Sequence, residues 1–138
     1  MKMNTLKIPI SVKGIVLEDG KVWLRKNGRG EWELPGGKID PEEQPKETCQ
    51  REIKEELGFE VEVQNLIDAC IVKINESIDE KEGVLILIYS CQLISKTGDF
   101  EHIGESGIAE FKLFEISEIE KLENMLEFYK RAVRENQF

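Results

Sequence analysis

Glu52, Glu55 and Glu56 fall within five residues of one another in the stretch REIKEELG, residues 51–58. At 100° per residue the three carboxylates share an arc of roughly 100° on one side of a helix. Like charges four residues apart cost a helix about a few tenths of a kcal/mol, so something must compensate. One reading is a solvated acidic face. The other is a site for a divalent metal. Hard cations such as Mg²⁺ prefer carboxylate oxygens and keep several waters, so carboxylates on one face would leave positions open for water and a phosphate oxygen. Lys54 points elsewhere and is poorly placed to neutralise the cluster.

The elements that must position these groups can be outlined from pattern alone. Residues 6–17 are rich in β-branched side chains and read as a strand. EDGK (18–21) is a turn, and KVWLR (21–25) is the returning strand of a hairpin. NGRG (27–30) is a loop, EWEL (31–34) is extended, and Pro35-Gly36-Gly37 is expected to lie outside regular structure. A helix is predicted over 45–57, with Pro45 in its first turn and Gly58 at its left-handed cap. Its stripe of Cys49, Ile53 and Leu57 should face the core. Residues 59–73 suit one or two strands, 83–94 a central strand and 108–114 another strand. Residues 116–136 read as one helix with Leu122, Met125, Leu126 and Tyr129 as its buried stripe. This order is α+β, a mixed sheet with helices packed on it, in a single domain over 1–138.

Composition narrows the partners. The 138 residues are 40% apolar and 34% charged, with a net charge of −9, and the pI is about 4.8. Such a surface repels nucleic acid and anionic membranes unless a metal or a local patch reverses the sign. Cys49, Cys70 and Cys91 are odd in number and widely spaced. They read as buried thiols of a cytoplasmic protein. Without a C-x-x-C pair a cysteine zinc site is not expected. No apolar run approaches the roughly 18 residues of a membrane span. The acidic stretch ESIDEKE (76–82) reads as a solvated loop.

Upstream residues decide between the two readings of the carboxylates. Gly37 is followed by five residues, Glu43, seven residues, and then Arg51-Glu52-Ile53-Lys54-Glu55-Glu56-Leu57-Gly58-Phe59. This resembles the signature of the Nudix hydrolase family, G-x5-E-x7-R-E-U-x-E-E-x-G-U, with U a bulky apolar residue. Every specified position matches, against a chance on the order of 10⁻⁸ per window. The resemblance covers 23 of 138 residues.

It implies an α/β/α sandwich and hydrolysis of a nucleoside diphosphate linked to another group, with Mg²⁺ or Mn²⁺ bound. Glu52, Glu55 and Glu56 are then the expected metal ligands, with the Gly37 carbonyl as a further one. Glu43 and Arg51 are expected to pair and hold the loop against the helix; the plain alternative for Arg51 is a surface cation. The metal would cancel substrate charge and lower the pKa of a bound water, and a carboxylate would take the water's proton. Glu52, Glu55 and a distal residue, Glu101 or preferably Glu105, are the candidates for that base.

Arg25 is a candidate for the phosphates, and Arg29 a weaker one. W-x-L-P-G-G resembles the MutT-like branch that hydrolyses nucleoside triphosphates. Trp32 there could stack on a base, although it reads first as core, as do Trp23, Tyr89, Phe111 and Phe114. His102 is the sole histidine and reads as solvated.

Glu42 stands where many members have Gly, and Cys49 where many have Ala. The chain has no Pro after Pro45 and no Tyr about fifteen residues past the motif. Both absences lean away from ADP-ribose and dinucleoside polyphosphates. The expected reaction is (d)NTP to NMP plus pyrophosphate, by a monomer or homodimer. ADP-ribose or another nucleoside diphosphate sugar is the alternative substrate. A non-catalytic nucleotide-binding regulator is the alternative from another class.

Overall fold

Along ISVKGIVLE the side chains alternate between two faces, as a strand requires, and both faces are buried. Val12 and Val16 join one apolar cluster, and Ile15 joins the other. That strand is β1 (Ile10–Glu18), the spine of the molecule. The computed structural model describes residues 5–73, 83–97 and 110–136. Within them follow β2 (Lys21–Lys26), β3 (Trp32–Glu33), β4 (Gly36–Lys38), α1 (Pro45–Leu57), β5 (Phe59–Val72), β6 (Val84–Lys96), β7 (Glu110–Phe114), α2 (Ile116–Glu120) and α3 (Glu127–Glu135).

The strands form a seven-stranded mixed sheet in the order β3-β2-β1-β6-β5, with β4 added on β1 and β7 on β2. β1 and β6 run parallel, from Ile10 opposite Leu85 to Val16 opposite Cys91. The other pairings are antiparallel. β6 therefore occupies the central place expected for it, and residues 59–72 form one long bulged strand.

β6 alternates like β1. Val84, Ile86 and Ile88 belong to the cluster under α2 and α3, while Leu87, Tyr89 and Cys91 belong to the cluster under α1. The sheet is thus covered on both faces by helices, in the α+β class with the layered arrangement that the resemblance implies.

Three expectations are corrected. Gly36 and Gly37 lie in a strand, not outside regular structure. β4 pairs with Ser11, Val12 and Lys13 of β1, and glycine is what permits it. Gly36 has φ +145°, and a Cβ there would meet the Val12 carbonyl oxygen at 2.0 Å.

The C-terminal helix is broken into α2 and α3. Between them the chain is drawn to β3, where the Trp32 N–H donates to the Asn124 carbonyl at 2.8 Å and Trp32 bridges Met125. An extended pairing there excludes helix. Of the predicted stripe, Met125 and Tyr129 are buried, but Leu126 is exposed because it caps the start of α3.

Finally, Cys49 and Cys91 are buried while Cys70 is only half-buried. Among the described residues no helix is long and apolar enough to cross a membrane.

Candidate active site

α1 carries the carboxylates, and its own sequence fixes both ends. Pro45 occupies the first turn, and the Glu47 carboxylate accepts from the Gln44 N–H at 2.8 Å. Gly58 closes the helix in the left-handed region at φ +69°, its N–H donating to the Lys54 carbonyl at 2.9 Å. Cys49, Ile53 and Leu57 lock one face onto Val12 and Val16. Glu52 and Glu56 are thereby turned against β4. The Glu56 Oε1 accepts from the Gly36 N–H at 2.9 Å. The Glu52 carboxylate lies so close to Gly37 that a Cβ would meet it at 2.5 Å. Glu55 lies further out, its side chain 58% exposed.

The repulsion within this cluster is relieved by arginine. The Arg51 Nε donates to Glu43 Oε2 at 2.7 Å and its Nη2 to Glu43 Oε1 at 3.1 Å, a two-pronged pair. The remaining Nη1 reaches Glu52 at 3.0 Å and Glu55 at 3.2 Å. Glu43 also accepts from the Thr48 hydroxyl at 2.6 Å. Chiefly through Arg51, its carboxyl is pulled down to about 2. Burial pushes Glu56 up to about 7, against the partial relief supplied by Lys13, the Gly36 N–H and Arg25. Glu52 is raised too, by burial ahead of the opposing pull of Arg51. Lys54 pairs with Glu60 at 2.7 Å, away from the cluster.

A hard divalent cation suits this arrangement. The donors are all oxygens. The backbone at Gly37 comes as near to Glu52 as an absent side chain permits. Glu56 is a half-buried carboxylate that burial holds above its ordinary range despite Lys13 and Arg25. In this structure Arg51 still holds Glu52 and Glu55, and among the described residues no ready-made cage of three ligating side chains is assembled.

Arg25 stands beside the carboxylates. It is the cross-strand partner of Glu33, bonds it at 2.7 Å, and turns its Nε toward Glu56 Oε2 at 3.5 Å. Arg29 pairs with Glu31 at 2.8 Å. Trp32 is 8% exposed, meets Phe114 edge-on and lies under the Lys26 ammonium; it packs as core. Trp23, half-buried, sits edge-on to Phe59. Glu101, His102 and Glu105 lie outside the described residues.

Two groups escaped the sequence reading, Lys13 and Glu33. Lys13 is 7% exposed, and its ammonium lies 3.8 Å from Glu33 Oε1. The signal was present in ISVKGIV, where one lysine interrupts an apolar strand at a position that alternation turns inward.

The fold and the acidic helix against a glycine strand define a class, and the comparisons agree on which. Residues 8–135 match the NUDIX domain. The chain belongs to the Nudix family. A MutT-like protein of Streptomyces ambofaciens is 35% identical over 85 residues, 60% of this chain and 51% of that one. An ADP-ribose pyrophosphatase of Methanocaldococcus jannaschii is 31% identical over 117 residues, 82% of this chain and 65% of that one. The CTP pyrophosphohydrolase of Escherichia coli is 39% identical over 57 residues, 38% of this chain and 42% of that one. The chain thus spans about half the length of the curated relatives it matches. In fold, a NUDIX hydrolase from Nitrosomonas europaea superposes with a TM-score of 0.78 at 22% identity, covering 94% of this chain and 88% of that one.

Proposed function

We propose that this chain is a divalent-metal-dependent pyrophosphohydrolase that converts a nucleoside triphosphate to the monophosphate and pyrophosphate. The observation that carries the reading is Glu52 and Glu56 packed against β4, with Arg25 at the edge of that face. Glu52, Glu55, Glu56 and the Gly37 carbonyl would hold Mg²⁺ or Mn²⁺, which supplies charge neutralisation and an acidified water. Arg25 binds phosphate oxygens, using a fork that suits them. Water adds to a phosphorus, the bond to the leaving pyrophosphate breaks, and the water's proton passes to a carboxylate. Glu52, Glu55 and Glu105 are the candidates for that base. Arg51 and Glu43 position α1 against the β4 loop. Trp32 supports the fold, and we assign it no contact with substrate.

The CTP pyrophosphohydrolase of E. coli and the 8-oxo-dGTP diphosphatase of Proteus vulgaris support a nucleoside triphosphate. One observation favours the second reading, ADP-ribose: the relative matched over 82% of this chain is an ADP-ribose pyrophosphatase. A hydrolysis screen with Mg²⁺ or Mn²⁺ separates them. Canonical and oxidised nucleoside triphosphates, ADP-ribose and nucleoside diphosphate sugars are assayed for phosphate and pyrophosphate. The expected result is pyrophosphate release from one or more triphosphates. Turnover of ADP-ribose alone would replace the first reading by the second. Nucleotide binding without turnover would make the domain a regulator.

A further inference from the structure

Lys13, Ile15 and Leu17 occupy alternate positions of β1 and so share one of its faces. Lys13 stands at the end of that face nearest the carboxylates. Leu17 lies four residues on, roughly 13 Å further along an extended strand. There, beside the β1–β2 turn, is a cavity of about 220 Å³. Its floor is Ile15 and Val22, both fully buried, with Val133 of α3. Its rim is Leu17 and Ile116, which pack only partly buried against the same apolar cluster. Gly20 of the turn completes that rim. A Cβ on Gly20 would meet nothing within 4 Å, so the mouth is open on that side.

Asn136 is the polar member of this lining. It caps α3, and its backbone N–H donates to the Ala132 and Val133 carbonyls at 3.1 and 3.2 Å. Its side chain is not provided for in the same way. The residue is 4% exposed, and its Oδ1 is buried with no hydrogen-bond partner. A buried acceptor without a donor is costly. The other lining side chains are aliphatic or glycine, so none of them can supply the missing donor. A lone water is a poor remedy, because a buried water wants about two to four polar partners. The terminal torsion of an asparagine is soft, so the amide can turn toward a donor that enters.

We propose that this cavity is a binding site for a small neutral molecule of one or two rings that carries a single N–H or O–H donor. The rings rest on Ile15, Val22 and Val133, and the donor meets Asn136. Aliphatic walls favour the burial of ring surface, and one polar group among them fixes orientation. An apolar cavity of about 150 Å³ is enough for a benzene ring, so this one has room for a fused pair such as indole. It is smaller than the roughly 300 Å³ at which pockets begin to hold a drug-sized molecule, and it has no charged side chain to meet a phosphate. A nucleotide is therefore not its ligand. The inference is independent of the hydrolase reading, since the lining includes none of the residues assigned to that chemistry.

The test uses the full chain with indole as the probe and with indene, which has the same ring outline but no N–H. A methyl NMR titration reports where each probe binds and how tightly. Wild type is expected to bind indole saturably, with the shifts centred on the methyls of Ile15, Leu17, Ile116 and Val133. Asn136→Leu removes the acceptor and keeps the bulk of the side chain. In that variant the ratio of indole to indene affinity should fall about fivefold or more. Ile116→Phe narrows the cavity from its rim and should weaken both probes about tenfold or more. Circular dichroism melts check that each variant is folded.

Three results would overturn the site. One is the absence of saturable indole binding by wild type, or shifts centred elsewhere on the molecule. Another is an unchanged ratio of the two affinities in folded Asn136→Leu. The third is unchanged affinity for both probes in folded Ile116→Phe, which would place indole outside this cavity.

Discussion

Arg51 occupies a double position at the residue scale. Its two-pronged bond to Glu43 ties the loop after β4 to α1, and its spare nitrogen quiets Glu52 and Glu55. The like-charge repulsion of REIKEELG is thus relieved by the arginine that begins the stretch. A pH dependence follows. Glu43 titrates at about 2 in the folded chain against an ordinary 4.5. A depressed carboxylate contributes stability that is present above its unfolded value and lost as pH falls through its folded value. Urea melts of wild type and Glu43→Gln should differ by a constant gap above about pH 5, and the gap should close as the pH approaches 2. A gap that is flat down to pH 2 would mean that the pair contributes through shape alone.

Legibility at this scale divided along the chain. Glu43, Arg51, Glu52 and Glu56 were visible because their spacing is written in one contiguous stretch. Lys13 and Glu33 meet only after β1, β2 and β3 have paired, and no local spacing encodes that meeting.

At the scale of elements, β4 shows how a glycine pair makes structure where pattern reading expects none. Two strands approach so closely at Gly36 that the side chain itself is the obstacle. Similarly, the departure from the family at Glu42 has a backbone meaning, since Glu42 sits at φ +70°. A left-handed non-glycine residue costs about 1–2 kcal/mol, and glycine returns part of that through a looser unfolded chain. Glu42→Gly is therefore expected to stabilise the fold by about 0.5–1 kcal/mol, read as a raised denaturation midpoint with unchanged m. A loss of stability would contradict the assigned conformation. The helix α1 was legible because Pro45 and Gly58 mark its ends in the sequence. The break between α2 and α3 was not, because KLENML contains no glycine or proline. It is imposed from outside by Trp32 of β3.

Across the whole molecule the sheet separates two apolar clusters, and the site is built where β1 serves both. One face of β1 seats α1 and so aims the carboxylates. The other face carries Lys13 to Glu33. Gly14, between these two duties, has no spare room. A Cβ there would meet Ile53 at 2.5 Å, Cys91 at 2.9 Å and Cys49 at 3.0 Å. Gly14→Ala should destabilise by about 1–3 kcal/mol, seen as a lower melting temperature, and by lifting α1 it should lower activity as well. An alanine variant of unchanged stability would show that the helix is not seated as described.

On the proposed function, the carboxylates turned onto β4 are the working face of a metal-dependent hydrolase. The direct measurement is pyrophosphate release from the best triphosphate by wild type and Glu56→Gln, side by side at saturating Mg²⁺. Wild type should turn over, and the variant, folded by circular dichroism, should lose more than about 100-fold in kcat, above the range usual for groups that merely support a metal's ligands. A folded Glu56→Gln protein that keeps the wild-type rate would contradict the claim.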